Sequence, residues 1–149
     1  MKDQPDSEVE LRARALRLLA RREHSRQELA RKLSFRAESA GALNALLDSL
    51  ETKKQLSNER FASERAHVLS RRYGAARIRQ DLKAKGIDRE TIARISGEGE
   101  LERARGILER KYRQPATSRE EKAKRMRFLQ SRGFSSEVIR SLLSARDTD

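Results

Sequence analysis

Residues 57–96 read SNERFASERAHVLSRRYGAARIRQDLKAKGIDRETIARIS, and this stretch decides the fold. Phe61, Ala62, Ala66, Leu69 and Tyr73 recur at helical spacing, which predicts a helix over about residues 58–73. Ile78 and Leu82 lie four apart, on one face of a second short helix that stops at Lys85-Gly86-Ile87. Glycine just past a helix adopts the left-handed conformation without steric cost, and Ile87 can then fold back onto the last turn. Asp88 is placed to cap a third helix carrying Ile92 and Ile95.

The unit returns 47 residues later: Leu82, Gly86, Ile87, Asp88, Ile92 and Ile95 reappear as Leu129, Gly133, Phe134, Ser135, Ile139 and Leu142. Apolar contact, glycine stop, fold-back, cap and apolar pair keep one register, the signature of a repeat protein built from helical triplets. Working outward, Ser7 with Glu10 and Ser25 with Glu28 form capping-box patterns that open two helices before residue 35. A third helix over about residues 39–54 carries Leu43, Leu46, Leu47 and Leu50. This first triplet lacks the Gly-Ile stop, and its third helix is the longest of its counterparts, as expected of an end cap. Beyond the Gly97-Glu98-Gly99 joint, Leu101, Ala104, Ile107, Leu108 and Tyr112 share a helix face, and Gln114-Pro115 ends that helix. Ser118 with Glu121 gives a third capping box, before a helix whose stripe reads Ala123, Met126 and Leu129. The expectation is an all-α chain, an extended, curved array of three tandem three-helix repeats over residues 7–56, 57–97 and 98–143. The ends, residues 1–6 and 144–149, are expected to be disordered.

Composition agrees. Apolar residues make up 36% of the chain, which favours several thin cores over one large one, and 39% charged residues with two prolines favour helix over sheet. The net charge of +12 divides as +3, +5 and +4 among the three triplets, so it is spread along the array and points to a polyanionic partner. Cysteine is absent, which excludes disulfides and thiolate metal sites. The polar start MKDQPDSEVE is no signal peptide, and no run approaches the roughly 20 apolar residues that span a bilayer. A soluble, cytoplasmic protein with no membrane association is expected.

The second helices of the later triplets carry the densest basic segments: Arg71, Arg72, Arg77, Arg79, Lys83 and Lys85, then Lys122, Lys124, Arg125, Arg127 and Arg132. These are the candidate contacts to partner or DNA. Phe61, Tyr73, Tyr112 and Phe134 fit apolar stripes better than base stacking, Phe128 lies beside its stripe, and Phe35 falls in a break. Nothing resembles an enzyme. His24 and His67 lack ligand spacing, Glu120-Glu121 suits a first helical turn, and no glycine-rich phosphate loop exists. No cofactor and no metal are expected.

ALRLLARREHSRQELARKL in the first triplet, RRYGAARIRQDLKAKGIDRETI in the second and RMRFLQSRGFSSEVIRSLL in the third resemble the RecX regulatory family. The resemblance spans about residues 15–143. It implies a protein that lodges in the helical groove of the RecA filament on single-stranded DNA, and a monomer is expected because an extended array needs no partner to bury its core. There it would inhibit ATP hydrolysis, strand exchange and RecA-stimulated repressor cleavage, and so restrain recombination and the SOS response. The alternative is a helix-turn-helix-like nucleic-acid-binding protein, whose charges would concentrate on one recognition helix.

Overall fold

The computed structural model describes residues 4–95 and 97–144. Among the described residues there is no strand, and the helices follow in three successive triplets. These are α1 (Glu8–Arg21), α2 (Arg26–Leu33) and α3 (Ala40–Thr52); α4 (Asn58–Leu69), α5 (Ala75–Ala84) and α6 (Arg89–Ala93); and α7 (Glu100–Lys111), α8 (Arg119–Ser131) and α9 (Ser136–Ser144). A 3-10 turn, Ser34–Arg36, follows α2. At 13 residues α3 exceeds both α6, with 5, and α9, with 9.

The starts of these helices are written in side chains that satisfy otherwise orphaned N–H groups. Ser7 and Ser25 each form a complete capping box, with Glu10 and Glu28 reaching back to the cap residue's own N–H. Ser39, Ser57 and Ser135 accept from N–H groups in the first turns of α3, α4 and α9. Ser118 accepts from the Glu121 N–H, but the Glu121 carboxylate turns to the Thr117 N–H at 2.8 Å, so the expected reciprocal box is replaced by a neighbouring bond. Asp88 accepts from both the N–H and the hydroxyl of Thr91, at 3.1 and 2.7 Å. That pair draws Thr91 into the interior of α6, while Ile92 and Ile95 are only half-buried.

The chain divides into two compact units that do not follow the triplets. One takes the residues up to Glu64 together with Lys83–Ile92, and the other takes Arg65–Leu82 and the chain from Ala93 on. The first unit's core joins Leu11 and Ala15 of α1, Leu29 and Leu33 of α2, and Leu43, Leu46, Leu47 and Leu50 of α3. Gly86, in the left-handed conformation at φ 83°, belongs to this unit, and a Cβ there would collide with the Gln27 side chain. The second unit's core joins Ala104, Ile107 and Leu108 of α7, Leu129 of α8, Phe134, and Ile139, Leu142 and Leu143 of α9.

Asp6, expected in a disordered terminus, is instead buried. Its carboxylate accepts from Arg14 at 2.8 Å and from Arg36 at 2.9 Å, and its N–H donates to the Arg36 carbonyl at 2.8 Å. The start of the chain is thereby tied to the 3-10 turn. The rest of the expected disorder falls on residues 1–3 and 145–149, outside the described residues, and on residues 4, 5 and 144, of which Ser144 closes α9.

Candidate nucleic-acid interface

In the second unit, α4 ends four residues earlier than the stripe through Tyr73 predicts. Arg71 and Arg72 donate to the carbonyls of Val68 and Leu69, three residues back, which tightens the last turn. The Gly74 N–H then leaves the helix direction and donates to the Arg132 carbonyl at 2.7 Å. A Cβ on Gly74 would stand 2.5 Å from the Gly133 oxygen, and one on Gly133 would stand 2.5 Å from the Arg77 Cβ. The α4–α5 corner is thus pressed backbone to backbone onto the α8–α9 corner.

Around this contact cations and rings alternate. Arg77 lies over Tyr73 at 4.5 Å, Arg132 lies between Tyr73 and Phe128 at 5.6 and 5.0 Å, and Lys111 covers Phe128 at 4.9 Å. Tyr112 meets Phe128 edge to face at 6.0 Å and carries Arg125 on its own face at 4.5 Å. Such contacts hold half-buried rings in place by the attraction of a cation to the ring quadrupole. The rings serve the packing of this unit.

The eleven basic residues read from the sequence therefore separate. Arg125 is a correction: it is 6% exposed, donates to the Gln114 carbonyl at 2.8 Å, and belongs to the interior of α8. Met126, placed in the apolar stripe by the sequence, is exposed in its stead. Arg77 and Arg132 bridge the two corners by donating to the carbonyls of Ser131 and Arg72. Lys85 stands 3.8 Å from Glu28 in the first unit. Lys122 is half-buried, whereas Arg71, Arg72, Arg79, Lys83, Lys124 and Arg127 are exposed. Phe61 and Phe134 are core residues and Phe35 is exposed, with 76% of its surface open.

Sequence spacing alone did not bring out a further set of residues. The outer face of α7 carries Arg103 and Arg110, followed by Arg113, and it forms a trough with Arg71 and Arg72 at the end of α4. Arg103 fixes the trough by donating to the Ser70 carbonyl at 3.2 Å and the Glu98 carbonyl at 3.0 Å. The signal was available as Arg103 and Arg110, seven residues and so about two turns apart on α7, away from its core stripe. It was hidden because the other wall lies some 30 residues earlier.

Comparison with known proteins decides the family. Residues 57–94 match the model of the second three-helix domain of RecX, and residues 98–143 match that of the third. Regulatory protein RecX of Herbaspirillum seropedicae is 46% identical over 139 residues, covering 91% of this chain and 90% of its own. Its counterpart in Ralstonia pickettii (strain 12J) is 41% identical over 146 residues, covering 96% of this chain and 92% of its own. The chain belongs to the RecX family. A crystal structure of RecX from Lactobacillus salivarius shares the fold with a TM-score of 0.80 at 18% identity, over 95% of this chain and 97% of that one. The relatives are named as regulatory proteins.

The first unit of this RecX chain holds several perturbed titratable groups. Hydrogen bonds from Arg14 and then Arg36 hold the Asp6 carboxyl below its ordinary range. Burial works against ionisation of Glu28, but hydrogen bonds from Arg22 and the Ser25 N–H prevail and lower its pKa. His24 is 1% exposed, and burial pushes its pKa down against the opposing effect of the Arg22 carbonyl. Its Nδ1 lies 3.1 Å from that carbonyl and its Nε2 lies 2.9 Å from the Lys32 Nζ. The neutral ring with the proton on Nδ1 satisfies both, donating to the carbonyl and accepting from the ammonium. These groups tie α1 to α2 and to the 3-10 turn. Among the described residues no His, Asp and Glu cluster could hold a metal ion, and no helix is long and apolar enough to cross a membrane.

Proposed function

We propose that this chain regulates homologous recombination and the SOS response by seating in the groove of the RecA filament on single-stranded DNA. There it inhibits ATP hydrolysis, strand exchange and repressor cleavage. The observation that carries this reading is a RecX chain, 46% identical to a named regulatory protein, whose second unit gathers Arg71 and Arg72, just past α4, with Arg103 and Arg110 of α7 into one trough. A filament on DNA is a polyanion, and a chain with a net charge of +12 is drawn to it at long range. Repeated small helical units present many exposed side chains along their length, which suits contact with a polymer better than with a compact ligand. Binding requires no enzyme chemistry in this chain: its action is to occupy a surface that RecA needs for growth or turnover. The protein acts as a monomer in the cytoplasm.

Co-sedimentation with RecA assembled on single-stranded DNA, alongside RecA-stimulated repressor cleavage, tests the reading. The chain should pellet with the filament and suppress cleavage. A chain that stays in the supernatant and leaves cleavage intact contradicts it.

A further inference from the structure

Two clefts of the second unit meet at Gly106 and Arg110. One is walled by Arg71 and Arg72 at the end of α4 and by Arg103 of α7, and the other runs on to Arg113, Gln114 and Pro115. Positions 103, 106 and 110 are spaced three and four apart, so they form one stripe along the outer face of α7, and Arg113 follows just past the end of that helix. Five guanidinium groups line this stripe against two carboxylates, Glu102 and Glu109, and Glu102 is itself paired with Arg105.

Packing does not explain Gly106. It sits in the middle of α7, where glycine is the weakest ordinary helix former. Its φ is not positive, and a Cβ there would touch only the Arg110 guanidinium at 3.3 Å, the flexible tip of a side chain in its own helix. No neighbouring element presses on it, unlike Gly74, Gly86 and Gly133. Glycine in such a place lets something outside the chain come close to the backbone.

We infer that this trough is a track for the phosphodiester backbone of a single-stranded nucleic acid, with Gly106 the point of closest approach. Arg71, Arg72, Arg110 and Arg113 grip the phosphates, and Arg103, committed to two carbonyls, holds the walls together. Guanidinium forks match phosphate oxygens in pairs. A peptide would need apolar anchor pockets, and here only Tyr112 and Pro115 offer such surface. The rings that could read bases are covered by cations, so the track holds any sequence alike. The inference deepens the proposed function and rests on it for the identity of the strand, but its test leaves RecA out, so the two can fail separately.

The test follows binding of a fluorescent single-stranded oligothymidylate to the full chain by anisotropy over a range of salt, with thermal melting in parallel. Gly106→Ala should raise the melting midpoint, since alanine is the better helix former, yet weaken binding several-fold. Arg110→Gln with Arg113→Gln should weaken binding and flatten the log–log salt slope by about 1.4, at about 0.7 for each phosphate of a single strand no longer neutralised. Affinity unchanged in Gly106→Ala despite the raised midpoint would overturn the inference. So would an unaltered salt slope in the arginine variant, no binding by the wild-type chain at low salt, or displacement by polyglutamate as effective as by unlabelled oligonucleotide. RecA ATPase inhibition by the wild-type chain is read separately and bears only on the proposed function.

Discussion

The Gly74 N–H donates to the Arg132 carbonyl at 2.7 Å, a backbone bond that joins the corner between α4 and α5 to the corner between α8 and α9, beside the bonds that Arg77 and Arg132 make across the same contact. The bond forms because neither corner has a side chain in the way. Gly133 stands at φ 90° with its Cα facing Arg77, and Gly74 lies with its Cα facing the Gly133 carbonyl.

Adding one methyl group should therefore be costly at either glycine. Gly74→Ala and Gly133→Ala should each lower stability by about 1–3 kcal/mol, the usual cost of forcing an atom into a filled contact between backbones. Gly97→Ala, whose Cβ would meet nothing within 4 Å, should stay within about 0.5 kcal/mol of the parent. Chemical denaturation of the three variants checks this, and equal effects at all three positions would contradict it.

The interior arginine of α8 should behave unlike its exposed neighbours. Arg125→Ala removes the stack on Tyr112 and the bond to the Gln114 carbonyl, and should destabilise the chain by about 1–3 kcal/mol. Arg127→Ala should change stability by no more than about 0.5 kcal/mol, because its side chain is exposed. Thermal melting of both variants distinguishes them.

Acid should loosen the first unit through His24. Its folded pKa lies below the unfolded value of 6.5, because burial favours the neutral ring. Stability from the neutral ring is complete above that unfolded value and is lost as pH falls below it toward the folded value. His24→Gln, which cannot take up the proton, should show a shallower fall of melting midpoint on acidification from neutral pH. A parent and variant with parallel pH profiles would contradict the buried neutral ring.

A second loss should follow at lower pH from Asp6. Its folded pKa lies below the ordinary 3.8, held there by Arg14 and Arg36. The stability it contributes is full above 3.8 and disappears as pH falls through the folded value. Asp6→Asn should be less stable than the parent at neutral pH and should converge on it in strong acid, as measured by denaturant midpoints across pH.

What could be read from the sequence divides along physical lines. Capping at Ser7, Ser25 and Asp88 was legible because a cap is decided within four residues. The stops at Gly86 and Gly133 were legible because a left-handed residue that closes an apolar stripe is nearly always glycine. The phase of α8 was not. REEKAKRMRFLQS offers so few apolar residues that Met126 and Arg125 compete for one face, and the interior goes to the side chain that can stack on Tyr112 and reach the Gln114 carbonyl. Thr91 displaced Ile92 for a similar reason, since the bonds to Asp88 satisfy its polar atoms inside. The basic site was legible as charge but not as geometry. Arg71 and Arg72 were visible, whereas their partnership with α7 depends on a tertiary contact made by Arg103 to the Ser70 carbonyl.

RecA ATPase on single-stranded DNA, titrated with this chain, tests the regulatory role most directly. Hydrolysis should fall, and a fall complete at far less than one chain per RecA subunit would place the action at filament ends. Hydrolysis unchanged at every ratio would contradict the role altogether.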